Sequence, residues 1–224
     1  MAVKRLDYEK LESYMNECMG DSAHDGEHVR RVLHMALNLA EGEAVDRDVL
    51  IAAALLHDIG RAAQMADSGV DHAERGSEMA RAFLKGMGFE PGFVDHVAAC
   101  IATHRYRSGF PPASREAEIL FDADKLDVTG ALGIARTLLY QGGKGQPIYT
   151  LEGGRVMGRE ADDPPSFLKE YHFKLKHVED RLFTEKARRI ADERQKAAWA
   201  YYEALVREID QSRGQEEILL ETLN

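Results

Sequence analysis

The chain has 224 residues, 44% of them hydrophobic, enough to build the packed interior of one domain spanning 1–224. Its 39 acidic residues against 29 Lys and Arg leave a formal charge of −10. That excludes a general nucleic-acid binder, because neutralising a phosphate backbone takes a basic face, but a few local cations can still hold a small anion.

Residues 1–10 are charged and lack the apolar core of a signal peptide. Helical periodicity runs through nearly every segment and no stretch sustains strand alternation, so the expected class is all-α. Residues 6–19 form a first amphipathic helix closed by Gly20. Asp25 stands at the N-cap of the next, where Val29, Val32, Leu33, Ala36 and Leu37 recur at three-to-four spacing. Asp46 caps a helix whose apolar run, 49–56, is too short to cross a bilayer and leads into His57-Asp58 before Gly60. Further helices are expected over 71–84, 93–103, 113–125 and 128–139. Residues 141–165, rich in Gly and Pro, read as a mobile loop or short hairpin, over a site or as a surface insertion. C-terminal helices fill 166–212. The long one at 181–211 carries a stripe including Phe183, Ala187, Ile190, Tyr202 and Ile209, which packs on the domain or serves as a dimer seam. Cys18 and Cys100 lack partners at metal spacing and read as ordinary thiols, so the expected compartment is the cytoplasm, with no membrane partner.

Three segments carry chemistry. His57 and Asp58 end an apolar run, where burying a carboxylate is costly unless something neutralises it. Neighbours inside a helix diverge by about 100°, yet at a helix end before a glycine both can turn to one point. His28 lies among inward-facing Val29 and Val32, the setting of an ordinary core histidine or of a ligand. The run Phe121-Asp122-Ala123-Asp124-Lys125-Leu126-Asp127 places three carboxylates in an apolar helix, which demands positive charge from Lys125 or from a metal.

Asp25-Gly26-Glu27-His28-Val29-Arg30-Arg31-Val32, His57-Asp58-Ile59-Gly60 and the run ending at Asp127 together resemble the HD-domain superfamily of metal-dependent phosphohydrolases, named for the adjacent His-Asp pair. The resemblance covers about 21–139 and implies a compact helical bundle with a long C-terminal helix, as in a small single-domain bacterial branch that includes nucleotide pyrophosphohydrolases. It implies His28, His57, Asp58 and Asp124 as metal ligands and sets aside His24. It points to His72 and His104 as holders of a second metal or as acid-base groups. Lys125, with Arg105 and Arg107, would then bind substrate phosphate, while Asp122 and Asp127 would support or cap. His34, His96, His172 and His177 have no comparable context and read as structural.

An imidazole and carboxylate donor set favours Mn(II) or Fe(II), with Co(II), Ni(II), Zn(II) and Mg(II) as alternatives. The expected partner is a small phosphorylated substrate, foremost a nucleotide, bound by a monomer or homodimer. No Glu-Asp pair follows His57-Asp58, unlike in alarmone hydrolases. Gly109-Phe110-Pro111 only approaches the Gly-Tyr-Pro of cyclic-dinucleotide phosphodiesterases. Two other functions fit the same residues. One is a dinuclear-iron oxygenase using His28, His57, Asp58, His72, His104 and Asp124. The other is a nucleotide-binding module without turnover.

Overall fold

A computed structural model describes residues 6–19, 26–105 and 111–213. The fold is helical, with one small hairpin among the described residues. The described residues fall into two compact units, one up to Asp127 together with 182–188, the other 128–181 together with the rest of the chain from Arg189.

The first unit runs α1 (Tyr8–Met19), α2 (Gly26–Leu39), α3 (Arg47–Leu56), α4 (Arg61–Ala66), α5 (His72–Gly86), α6 (Pro91–Thr103) and α7 (Arg115–Leu126). Its centre is α3, where Val49, Leu50, Ala52, Ala53, Ala54, Leu55 and Leu56 are all buried. A helix apolar on every side has to be enclosed, and α1, α2, α6 and α7 pack around it. Residues 47–66 have the length and composition of a membrane span, but most of that stretch is buried inside the protein and it is broken between α3 and α4. It is a core segment.

The helix starts follow local chemistry. Asp46 accepts hydrogen bonds from the Asp48 and Val49 amides, and Asp71 accepts one from Ala73. Ser114 caps α7 through the Ala117 amide, and Pro91 occupies the first turn of α6. The expected cap at Asp25 and the break at Gly20 lie outside the described residues.

One corner is set by the absence of side chains. A Cβ on Gly60 would come within 2.3 Å of the His72 carbonyl oxygen and 2.7 Å of the Gly76 nitrogen. Glycine at 60 therefore lets the start of α5 close onto the turn after α3. The turn itself is tight, with the Arg61 amide bonded to the Asp58 carbonyl at 2.9 Å.

The second unit holds α8 (Gly130–Gly143), a hairpin of β1 (Thr150–Glu152) and β2 (Arg155–Met157), and α9 (Phe167–Phe173). Two single 3₁₀ turns, Leu175–His177 and Glu179–Arg181, precede α10 (Glu185–Arg213), whose first turn counts with the first unit. The hairpin pairs Thr150 with Met157 and Glu152 with Arg155. Ile134, Phe167, Leu168, Tyr171, Leu175, Ala198, Tyr202 and Ile209 form this unit's core, and Tyr171 stacks on Tyr202 at 4.4 Å. Of the stripe expected on α10, Tyr202 and Ile209 lie in that core. Asp163 accepts the amides of Gly158, Arg159 and Glu160 and so fastens the segment after the hairpin.

Candidate metal centre

Four imidazoles and two carboxylates converge inside the first unit. His57 is the C-cap of α3 and keeps helical dihedrals, and Asp58 follows in the turn. His28 comes from the first turn of α2, His72 opens α5, His104 caps the end of α6, and Asp124 lies in the last turn of α7. His57, Asp58, His72 and His104 have no solvent exposure, and His28 has 2%.

Asp58 lies at the middle. Its Oδ2 faces His28 Nε2 at 3.6 Å and His57 Nε2 at 3.7 Å. Its Oδ1 faces His72 Nε2 at 3.2 Å and His104 Nε2 at 3.6 Å. Asp124 Oδ1 stands 3.4 Å from His28 Nε2. Two sets of three potential ligand atoms, His28/His57/Asp58 and Asp58/His72/His104, each lie within 4.8 Å of one another.

The far nitrogen of each ring fixes its orientation. The Nδ1–H groups of His57 and His104 donate to the Ala54 and Ile101 carbonyls at 2.7 and 2.6 Å. His28 Nδ1–H donates to Asp127 Oδ2 at 2.7 Å. His72 Nδ1 faces Gln64 Oε1 at 2.6 Å, with Arg105 Nη1 at 3.1 Å. A neutral ring that donates through Nδ1 presents a lone pair at Nε2, the arrangement typical of metal-bound histidine.

On three of the rings that lone pair has no other use. The Nε2 atoms of His57, His72 and His104 and the Oδ2 of Asp58 are buried without a hydrogen-bond partner. Each such atom costs about 1–3 kcal/mol if left so. A cation accepted by several of them removes that cost, so the residues present fit a divalent metal.

Electrostatics point the same way. Burial pushes His57 down to about 4, and it does the same to His72, so both rings are neutral at neutral pH. Burial would raise Asp58, but His57 and Arg61 outweigh it and hold the carboxyl well below the usual carboxylate range. Asp124 is likewise held well below, with Lys125 and His28 overcoming burial. His28 differs: burial would lower it, but Asp124, Asp127 and Asp58 raise it to about 10. A cation at its Nε2 would take the place of that proton.

Of the phosphate-binding residues expected from the sequence, Lys125 and Arg105 are already engaged. Lys125 Nζ donates to Asp124 Oδ2 at 2.5 Å and sits 5.1 Å from the centre of the Phe121 ring. Arg105 reaches Asp71 Oδ2 at 3.3 Å as well as His72. Arg107 lies outside the described residues. Asp122 leaves the cluster, accepting the amides of Phe183 and Thr184 at 2.9 and 2.7 Å ahead of α10.

Sequence reasoning did not single out Arg31, Gln64 or Arg61 at the cluster. Arg31 grips Asp127 with Nε at 2.8 Å and Nη2 at 3.1 Å, and Asp127 in turn holds His28. Gln64 supports His72, and Arg61 donates to Asp58 Oδ1 at 3.0 Å. The Arg-Val spacing after His28 was the available signal for Arg31. For Gln64 and Arg61 there was none.

Comparison with known proteins agrees with this geometry. The HD domain family model matches residues 25–129. A predicted HD superfamily hydrolase from an uncultured Thermotogales bacterium is 31% identical, with 89% of this chain and 91% of that chain covered and a TM-score of 0.62. The chain belongs to the HD superfamily. An HD-superfamily hydrolase from Bacillus thuringiensis is 29% identical over 91% of this chain and 96% of its own, with a TM-score of 0.68. YpgQ of Bacillus subtilis is 29% identical over 192 residues, which are 83% of this chain and 85% of that protein. Its structure in complex with ADP superposes with a TM-score of 0.70, covering 91% of this chain and 98% of that chain at 25% identity. Membership of this superfamily, with its buried His and Asp cluster, supports a metal-dependent phosphohydrolase.

Proposed function

We propose that this HD protein hydrolyses a phosphate ester or phosphoanhydride of a small molecule, foremost a nucleotide, with Mn(II) or Fe(II) held by His28, His57, Asp58 and Asp124. The observation that carries the reading is the set of buried, partnerless imidazole nitrogens turned toward one ionised carboxylate. The ADP complex of YpgQ supports a nucleotide as the class to try first.

When bound, a divalent ion supplies a lowered pKa for water and polarises a phosphoryl oxygen. The rest belongs to the chain. His104 presents Nε2 beside Asp58 with its Nδ1 proton fixed on Ile101, and so can take or return a proton at Nε2. His72 presents a second such nitrogen. Lys125, one-quarter exposed, has its ammonium beside Asp124 and can reach a phosphate as a flexible point charge. Arg105 adds positive charge just after α6, beside His72 and Asp71.

The test is a panel of nucleoside mono-, di- and triphosphates and simple phosphate esters with Mn(II) present, read by release of phosphate or pyrophosphate. Turnover abolished by Asp58→Ala is expected. No turnover with any member, at full ion occupancy, would overturn the reading in favour of a binding module.

A further inference from the structure

The two oxygens of Asp58 live in different surroundings. Oδ2 faces His28 and His57 and has no hydrogen-bond partner. Oδ1 faces His72 and His104, and the Arg61 guanidinium is already bound to it at 3.0 Å. The cluster is thus open to a cation on one side and carries a fixed positive charge on the other. His72 and His104 nevertheless keep unpartnered Nε2 atoms, so the second side has the donors for an ion.

We infer that Arg61 sets the number of ions the cluster holds, standing on Asp58 Oδ1 where a second ion would otherwise share that oxygen. Arg61 is the first residue of α4, directly after the glycine corner, so its backbone is fixed while its side chain is only partly enclosed, with 23% exposure. The guanidinium acts in two ways. It consumes a lone pair that a second ion needs, and it repels a dication arriving beside it. Neither effect reaches Oδ2 with the same strength, because the Nε–H is directed at Oδ1. At low metal the expected state is one ion at His28, His57, Asp58 and Asp124. A second ion enters at Asp58, His72 and His104 only at higher concentration, as Arg61 swings outward.

This inference rests on the metal assignment under the proposed function, but ion counting needs no turnover. Wild type, Arg61→Gln and Arg61→Lys are stripped, titrated with Mn(II) alone and counted by equilibrium dialysis with elemental analysis, with circular dichroism as the fold control. Wild type should show one tight and one weak ion. Arg61→Gln keeps a donor but loses the charge, and should tighten the second ion by about tenfold or more, allowing for solvent screening of a partly exposed group. Arg61→Lys keeps the charge and should stay near wild type. Equal second-ion affinity in Arg61→Gln and wild type would overturn the role of Arg61 and leave the hydrolase reading standing. Binding of no ion by any of the three would overturn both.

Discussion

Asp127→Asn should loosen the metal centre without touching a proposed ligand. Asp127 is 5% exposed and accepts hydrogen bonds from His28 and, twice, from Arg31. Asparagine keeps one acceptor oxygen and replaces the other with an amide nitrogen, which must face His28 Nδ1–H or Arg31, donor against donor. Charge-assisted bonds of this kind are worth about 1.5–3 kcal/mol each. Arg31 is one-third exposed and can rehydrate, so the net loss of stability should be near ~2 kcal/mol. The larger effect falls on His28, whose Nδ1–H loses the carboxylate that orients its ring. Groups placed in this way around a metal typically change its affinity by about 10–100-fold. Calorimetric titration of the stripped variant with Mn(II), beside thermal unfolding, reads both quantities. An unchanged metal affinity in a folded Asp127→Asn would refute the idea that Asp127 orients His28 as a ligand.

Other changes test other parts. Gly60→Ala has to force the His72 carbonyl back by about 1 Å, so it should cost roughly 1–3 kcal/mol as overpacking, with a lower melting temperature and weaker ion binding at His72; wild-type stability would contradict the corner geometry. Because His28 is raised to about 10, the metal-free ring is protonated below that value, and a cation must expel the proton. Metal affinity should therefore tighten by about tenfold per pH unit up to that pH, and a flat profile by calorimetry would argue against His28. Lys125→Ala should chiefly raise KM, as for a charge felt in ground and transition states alike. His104→Ala should lower kcat by roughly 10²–10⁴-fold with the ion still bound; steady-state kinetics at verified occupancy separates the two, and an unchanged kcat returns His104 to a helix-end residue.

The helical class and most helix starts were legible because their causes are local. The caps at Asp46 and Asp71 and the proline of α6 act within three or four residues. The ends were less legible: α8 runs on to Gly143 through glycines that read as a loop, and the separate short α4 depends on the corner at Gly60. At the cluster, residue types and helix faces showed which side chains turn inward. They did not show which faces meet, because His28 and Asp127 are 99 residues apart in sequence. Arg31, Gln64 and Arg61 look like ordinary surface residues until α2, α4, α5 and α7 are brought together. Lys125 is the opposite case, since its charge beside the neighbouring Asp124 was legible in the run of carboxylates itself.

The account turns on whether these side chains hold an ion. Elemental analysis of the freshly purified chain beside Asp58→Ala and Asp124→Ala, each checked for helical content, tests this most directly. The account predicts about one tightly held divalent ion per wild-type chain and a near-complete loss in both folded variants, since each removes one of about four ligands. Full occupancy in either variant would contradict it.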